Sequence, residues 1–236
     1  MLKSAYRVES LQRNQTVQYS LLEEKLVYNM HGHHTSALYL CAKRMLDILG
    51  ASVGLLALLL FMPSVALAML LTDRGPLFYK QTRVGQHSRP FTLYKLRTMV
   101  VDADARLARN PALLEEWRRT GKLQHDPRIT TLGNFLRRTS IDELPQMLNV
   151  LRGEISLVGP RPIQFSEIPA FGELTEMRQI VKPGLTGFWQ VSGRSTTDYE
   201  QRALLDCTYV MECSFWTDIL ILLETIPVVL HGHGAY

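Results

Sequence analysis

The longest apolar stretch of the chain runs from Ile48 to Leu71 and contains no charged side chain. About 20 such residues are enough to cross a bilayer as a helix, whereas a buried helix of a water-soluble domain seldom stays apolar on every face. The stretch begins far from the N-terminus and no small-residue cleavage site follows it, which argues against a cleavable signal peptide. The pattern therefore predicts a membrane-associated helix, within a segment covering residues 39–75.

A proline and the flanking charges indicate the path of this helix. Pro63 removes a backbone hydrogen bond and is expected to break or kink the helix. Lys43 and Arg44 precede the apolar stretch, and basic residues without any acid follow it from Arg74 to Arg97. Because positive charge marks the cytoplasmic side, both ends are predicted to lie there. The arms on either side of Pro63 reach only about 22 and 13 Å, less than a ~30 Å hydrocarbon core, which predicts a re-entrant helix. A kinked helix that spans the bilayer is the alternative.

The remaining hydrophobic and polar positions predict short elements. These are two strands joined by a turn at Gly85 within residues 78–99, a helix over 103–117 interrupted at Pro111, short helices over 131–138 and 141–151, and an apolar helix over 214–230. Gly153 stands where a helix C-cap is expected, and Pro- and Gly-rich segments at 159–162 and 182–184 predict ordered loops. The apolar helix suits a position in the membrane interface or against the core. The predicted fold class is α+β and mostly helical, with one compact cytoplasmic domain over residues 76–236.

Composition narrows the class of protein. The mean hydropathy of the 236 residues is close to zero, which argues against a polytopic transporter, and the length suits one domain with an appendage. The cysteines Cys41, Cys207 and Cys213 have neither disulfide-framework nor zinc-site spacing. A reduced protein that faces the cytoplasm is the simplest interpretation.

The N-terminal residues and the net charge suggest no chemistry by themselves. Residues 1–38 show no sustained periodicity and are predicted to be a flexible extension, and a solvated histidine run explains His31, His33 and His34 better than a metal site does. The net charge of +4 raises nucleic acid as a partner. No nucleic-acid-binding motif accompanies it, and the basic residues crowd against the apolar segment instead. We therefore predict no nucleic-acid partner.

Two adjacent carboxylates, Asp142 and Glu143, are the first candidate for chemistry. They open a predicted helix with two arginines one turn upstream, and a helix N-terminus keeps a carboxylate ionised. An ionised carboxylate is a competent nucleophile toward phosphorus, and a second one beside it could hold Mg²⁺. The structural alternative is a capping box, in which Ser140 and Glu143 only satisfy backbone donors at the helix start.

Basic residues elsewhere in the chain favour the chemical interpretation. Arg161 lies between two prolines, Lys95 and Arg97 lie on a predicted strand, and Arg194 follows the run that begins at Gln190. Arginine and lysine on ordered loops bind phosphate oxygens well. Near a carboxylate pair and a membrane segment, they indicate a phosphorylated substrate at the bilayer surface. Taken singly, each charge could instead be solvated or face anionic lipid.

Five motifs in sequence order resemble the bacterial sugar transferase family. They read KRMLDILGASVGLLALLLFMP, GPLFYKQTRVG, FTLYKLRTM, DPRITTLGNFLRRTSIDELPQMLNVLRGEISLVGPRP and KPGLTGFWQVSGR, and the resemblance runs from about residue 40 to the C-terminus. The family consists of small monotopic polyprenyl-phosphate hexose-1-phosphate transferases. The resemblance implies a re-entrant membrane helix broken near Pro63 and a catalytic domain with interfacial helices at the inner, cytoplasmic membrane. It also implies the minimal catalytic form of the family.

The implied reaction moves a hexose-1-phosphate from a UDP-sugar to undecaprenyl phosphate and releases UMP, with membrane lipid as the surroundings. By resemblance, Asp142 is the nucleophile that forms a covalent phosphosugar, and Glu143 completes the pair and helps to hold Mg²⁺. Positions in family motifs further imply phosphate or substrate binding by Arg137, Arg161, Lys95, Arg97, Arg194 and Gln190.

Several alternatives to this assignment stay open. In a direct displacement, the acceptor phosphate attacks and Asp142 only binds metal. A catalytically silent scaffold of a polysaccharide assembly complex is the rival from another functional class. Galactose and glucose are both compatible with the sequence, as is a homo-oligomer. The expected role of the enzyme is the first membrane step of exopolysaccharide or O-antigen synthesis.

Overall fold

The computed structural model describes residues 36–120, 123, 125–192 and 199–231. The helices and strands are, in chain order, α1 (Ala37–Thr72), β1 (Phe78–Val84), β2 (Pro90–Leu96), α2 (Ala103–Ala108), α3 (Pro111–Thr120), α4 (Thr131–Arg138), α5 (Met147–Arg152), β3 (Ser156–Val158), α6 (Ile168–Phe171), α7 (Leu174–Arg178), β4 (Gly184–Thr186), α8 (Phe188–Val191), α9 (Tyr199–Glu212) and α10 (Phe215–His231). Short 3₁₀ helices cover Gln86–Ser88, Ile141–Gln146 and Phe165–Glu167. The fold is α+β and mostly helical, as predicted. The predicted flexible extension lies outside the described residues, apart from 36–38.

Helix α1 contains the predicted apolar stretch. It is 36 residues long, its N-terminus is capped by the Ser36 side chain, and Pro63 lies inside it without interrupting the helix. At 1.5 Å per residue it measures about 54 Å along its axis, well beyond a ~30 Å hydrocarbon core. Among the described residues it is the one helix long and apolar enough to cross a membrane, and only 11% of its most apolar window is buried in the protein. The long apolar helix is confirmed, whereas its association with a membrane and its re-entrant path stay predictions.

Both ends of α1 are bonded to the domain that follows it. Near the start, the buried carboxylate of Asp47 accepts hydrogen bonds from Ser156 Oγ and from the main-chain N–H of Leu157, each at 2.8 Å. Just beyond the end, Asp73 forms an ion pair with Arg97. The apolar residues between these two anchors are largely exposed. The helix is therefore fixed to one domain at its two ends and exposes its middle.

Strands β1 and β2 form an antiparallel hairpin, as predicted. Their register pairs Phe78 with Leu96 and closes at the turn that follows Val84. Alternate residues of a strand share one face of the sheet. On β2 this face carries the buried side chains of Phe91 and Leu93 and then Lys95. The alternation thus directs Lys95 toward the 3₁₀ helix Ile141–Gln146, which packs against this strand.

The core is centred on a short parallel pair that the sequence pattern did not predict. Strand β3 pairs with β4 and contributes buried residues to the main apolar cluster. The two strands pass so closely that a Cβ on Gly184 would lie 2.0 Å from the amide nitrogen of Gly159. Three-residue strands carry no periodicity, which explains why neither was predicted; the segments predicted as loops, 159–162 and 182–184, adjoin them.

One predicted helix differs in detail from the structure. The helix predicted over 141–151 is a 3₁₀ helix followed by α5, because Pro145 cannot donate a hydrogen bond inside a regular helix. Gly153 caps α5 with a φ of 75°, as predicted. Helix α10 matches the apolar helix predicted over 214–230. Its exposed apolar residues recur at helical spacing along one face: Trp216, Leu220, Leu223, Ile226 and Leu230.

Candidate active site

The carboxylate pair lies at the start of the 3₁₀ helix that follows α4. Ser140, directly before it, has a left-handed backbone with a φ of 56°, and its side chain makes no capping bond. Only main-chain atoms join Ser140 to Glu143, whose N–H donates to the Ser140 carbonyl at 3.1 Å. The capping-box alternative is therefore wrong. The turn at Ser140 frees the Glu143 side chain for contacts outside its own helix.

Glu143 is held by two cations from distant parts of the chain. Its Oε1 accepts hydrogen bonds from Lys95 Nζ at 2.7 Å and from Arg161 Nη2 at 3.0 Å. Burial alone would raise the pKa of Glu143, but the charges and hydrogen bonds of Lys95 and Arg161 outweigh it and hold this pKa well below its usual range. Glu143 is therefore a fixed carboxylate at neutral pH.

Asp142 is buried and, among the described residues, its carboxylate accepts no hydrogen bond and forms no direct ion pair. Only 7% of the residue is exposed. Burial raises the pKa of Asp142 to about 6; the Lys95 charge opposes this shift and the Glu143 charge adds to it. A buried carboxylate is normally paired or hydrogen-bonded. An ionised but unbonded carboxylate is available to react with or bind a ligand.

Arg137 provides a third positive charge near the pair. Its Nε donates to Thr98 Oγ1 at 2.9 Å, which fixes the guanidinium close enough for its charge to act on Asp142. Arg137, Lys95 and Arg161 together place three positive charges beside two carboxylates. The site therefore retains excess positive charge that attracts an anionic ligand.

Arg161 enters the site from a loop between two prolines, as the sequence predicted. Besides bonding Glu143, its guanidinium lies over the Trp189 ring, 5.8 Å from the ring centroid. Arg202 of α9 lies over the same ring at 4.5 Å. Arg161 therefore contacts both the Trp189 ring and Glu143, which places Trp189 next to the carboxylate pair.

The other predicted phosphate-binding residues lie elsewhere or outside the described residues. Arg97 bonds Asp73 and the carbonyls of Pro76 and Met99, which commits its guanidinium to the segment after α1. The structure does not bring it to the carboxylate pair. Gln190 is buried in α8 and bonds the Leu185 carbonyl at 3.4 Å. Arg194 lies outside the described residues.

Four residues that support the Arg161 loop were not predicted from the sequence. These are Arg83 on β1, Phe171 on α6, Arg178 on α7 and Arg202 on α9. Arg83 was noted only as part of the basic stretch after the long apolar segment, and the others are single residues without a motif spacing. Their contacts arise only when β1, α6, α7 and α9 pack around the loop, so no local sequence signal identifies them.

The oxygen atoms of the pair suit a hard cation. Among the described residues, both Asp142 oxygens and Oε2 of Glu143 have no hydrogen-bond partner, and no group of three or more His, Cys, Asp or Glu side chains converges on one point. Mg²⁺ is commonly held by one or two carboxylates, with waters and substrate phosphates as its other ligands. The donor set fits that mode and does not fit an all-protein cage.

Comparison with known proteins identifies the family. A family profile described as bacterial sugar transferase matches residues 38–232. The exopolysaccharide production protein ExoY of Rhizobium meliloti is 44% identical over 202 residues, which cover 83% of this chain and 88% of that protein.

Two further relatives are longer proteins. The undecaprenyl-phosphate galactose phosphotransferase of Salmonella typhimurium is 46% identical over 168 residues, 70% of this chain and 35% of that protein. The UDP-glucose:undecaprenyl-phosphate glucose-1-phosphate transferase of Escherichia coli is 40% identical over 202 residues, 82% of this chain and 41% of that protein. The chain thus spans less than half the length of these two relatives.

Proposed function

The chain belongs to the bacterial sugar transferase family, and on that premise we propose that it transfers a hexose-1-phosphate from a UDP-sugar to undecaprenyl phosphate and releases UMP. The observation that carries this proposal is the unbonded Asp142 carboxylate, buried among three cations beside a fixed Glu143. A catalytically silent scaffold gives no reason to keep a buried carboxylate without a hydrogen bond, since such a group destabilises the fold. We therefore do not favour that alternative.

In the proposed chemistry, Asp142 acts as the nucleophile. One carboxylate oxygen attacks the phosphorus that carries the sugar, the bond from that phosphorus to the bridging oxygen breaks, and UMP leaves with the electron pair. The phosphate oxygen of undecaprenyl phosphate then attacks the same phosphorus and releases the Asp142 carboxylate. Lys95, Arg137 and Arg161 provide fixed positive charge for the phosphate oxygens, which is the main contribution of a protein to phosphoryl transfer.

We further propose that Asp142 and Glu143 hold Mg²⁺ through their open oxygens. When bound, the ion neutralises phosphate charge during the transfer. The fixed, ionised state of Glu143 favours this role, because Lys95 and Arg161 occupy Oε1 and leave Oε2 available.

The membrane geometry that we propose is re-entrant, at the cytoplasmic face of the inner membrane. The two anchors of α1, at Asp47 and at Asp73, bind the same domain. Basic residues flank both ends, which favours the cytoplasmic side for each of them. The exposed apolar face of α10 supports a domain that rests on the bilayer surface. Pro63 provides the position at which the two arms can diverge.

A UMP-release assay tests the reaction. We expect purified protein in undecaprenyl phosphate and Mg²⁺ to release UMP from UDP-galactose or UDP-glucose, and to release none in EDTA. Without acceptor, a covalent route predicts one equivalent of UMP and a mass increase of one hexose phosphate on the protein. Absence of the mass increase together with acceptor-dependent release would support direct displacement. No release from any UDP-sugar by folded protein would reject the proposed function.

Cysteine labelling tests the path of α1. In the parent protein, we expect the exposed Cys41 to react with an impermeant maleimide from the cytoplasmic side of membrane vesicles. In a Cys41→Ser background, we expect Arg74→Cys to react from the same side. Leu60→Cys at the exposed middle of α1 is expected to react from neither side. Labelling of positions 41 and 74 from opposite sides would establish a spanning helix instead.

A further inference from the structure

The loop that carries Arg161 is fixed through its carbonyl groups. Pro160 and Pro162 have no N–H, so the loop cannot continue the β3 ladder by its own donors. Groups from other elements bind its carbonyl oxygens instead. The Gly184 N–H donates to Pro160 at 2.7 Å, Arg178 Nη2 to Arg161 at 2.9 Å, and Arg83 Nη1 to Pro162 at 3.2 Å.

Arg178 is the most restricted of these donors. Its Nε and Nη2 donate to Asp206 Oδ2 of α9 at 2.9 and 2.5 Å, and its guanidinium lies 4.2 Å from the centroid of the Phe171 ring. Only 4% of Arg178 and 1% of Asp206 are exposed. The guanidinium is therefore held in one plane, and the Arg161 carbonyl lies on one of its donors.

A purely stabilising role does not account for this arrangement. A buried ion pair contributes little net stability compared with a well-packed apolar pair, because desolvation offsets the attraction. The planar guanidinium bonds Asp206 and the Arg161 carbonyl at the same time, and its rigid geometry therefore fixes the position of that carbonyl. The side chain of that same Arg161 bonds Glu143 at 3.0 Å. A connected path therefore runs from Asp206 on α9 to the carboxylate pair.

We propose that Arg178 is a positioning residue: anchored on Asp206, it fixes the main chain of Arg161 so that the Arg161 guanidinium reaches Glu143 and the substrate phosphate. The inference rests on the proposed function for its kinetic consequence, whereas its structural consequence is independent of any substrate. Without Arg178 the Arg161 carbonyl loses its partner, and the guanidinium moves from Glu143 and from the Trp189 ring.

The test uses Arg178→Lys, which keeps the charge opposite Asp206 but has one nitrogen and cannot reproduce the planar set of bonds. We expect KM for the UDP-sugar to rise roughly tenfold and kcat to fall, because phosphate contacts weaken. KM for undecaprenyl phosphate is expected to stay within about twofold. A loss of folded protein alone would change neither KM, so a rise in KM for the UDP-sugar reports a change within the site.

The matched control is Arg128→Lys. Arg128 is also buried and bonds one carboxylate, Asp126, through Nε and Nη2, but it makes no hydrogen bond to the Arg161 loop. We expect both KM values of this variant to equal those of the parent protein. If Arg178→Lys does not fold, Asp206→Asn, which weakens the anchor and keeps Arg178, is expected to shift KM for the UDP-sugar in the same direction.

Trp189 fluorescence provides a second measurement, which needs no substrate. In a Trp117→Phe, Trp216→Phe background, Trp189 is the remaining tryptophan. Arg178→Lys is expected to change its emission as Arg161→Lys does, and Arg128→Lys is expected to leave it unchanged. If the parent protein releases no UMP, the proposed function fails, but the Trp189 emission of Arg178→Lys still tests the role of Arg178. Unchanged KM values together with unchanged Trp189 emission in folded Arg178→Lys would overturn the inference.

Discussion

An Asp142→Asn variant is expected to release UMP at least ~10³-fold more slowly than the parent protein, because a neutral amide cannot act as the nucleophile toward phosphorus. The substitution preserves size and shape, and Asp142 makes no hydrogen bond within the described residues that the variant would lose. Initial rates with UDP-sugar, undecaprenyl phosphate and Mg²⁺ measure the effect. Asp104→Asn, at an exposed position on α2, is the matched control and is expected to retain the parent rate. A variant rate above about a tenth of the parent rate would remove Asp142 as the nucleophile.

The same variant is expected to be more stable than the parent protein when no metal is bound. Burial raises the pKa of Asp142 to about 6 in the folded protein, above the ~3.9 of an unfolded chain. An acid whose pKa is raised by folding loses its stabilising contribution as the pH rises through the folded value. The shift of about two pH units corresponds to at most about 3 kcal/mol above pH 7.

Thermal unfolding in EDTA measures this difference. We expect the gain in Tm of Asp142→Asn to be largest above pH 7 and to shrink as the pH falls through about 6 toward about 3, below the ~3.9 of the unfolded chain, where Asp142 is protonated in both states. Asp104→Asn is expected to show no such trend. A lower Tm for Asp142→Asn at pH 8 would contradict the placement of Asp142 as an unbonded, buried carboxylate.

The sequence allowed the long apolar helix and the candidate site residues to be predicted because each has a local signal. The uncharged stretch that became α1 is longer than a soluble helix tolerates, and the adjacent Asp142 and Glu143 stand out next to two arginines. Arg161 was identified because prolines on both sides predict an ordered loop. These features depend on nearest neighbours in the chain, which is the information a single sequence carries.

The role of Glu143 illustrates where that information ends. From spacing alone, Ser140 and Glu143 satisfied a capping box as well as they satisfied a catalytic pair. The left-handed backbone at Ser140 and the two long-range bonds from Lys95 and Arg161 decide between these interpretations. Both bonds join residues far apart in the chain, and only tertiary packing brings them together.

Arg97 and Arg178 also show that the sequence alone does not reveal long-range contacts: Arg97 was predicted to lie at the site and does not, whereas Arg178 was not predicted. Arg97 shares a basic strand segment with Lys95 and was grouped with it, yet it lies beyond the end of β2, where Asp73 and two carbonyls engage it. Arg178 has no neighbour that distinguishes it from an exposed helical arginine. Its function depends on Asp206 and on the Arg161 carbonyl, and therefore on the packing of α7 against α9.

A Lys95→Met variant is expected to lose about 100-fold in turnover at neutral pH, because one side chain provides the nearest positive charge for both carboxylates. Among the nearby charges, that of Lys95 lowers the pKa of Asp142 and of Glu143 the most. Its removal raises both pKa values, and the protonated fraction of Asp142 grows. The acid limb of the pH–rate profile is therefore expected to move to higher pH, so that part of the lost rate returns between pH 7 and 9.

Three variants separate the charge of Lys95 from its packing. Lys95→Arg keeps a cation beside Glu143 and is expected to retain more turnover than Lys95→Met, with an acid limb close to that of the parent protein. Lys80→Met removes an exposed lysine from the neighbouring strand β1 and is expected to leave both rate and profile unchanged. Lys95→Met with a lower rate but an unshifted acid limb would contradict the electrostatic role. In that case the ion pair to Glu143 would only hold the hairpin against the 3₁₀ helix, and a lower Tm would accompany the lower rate at every pH.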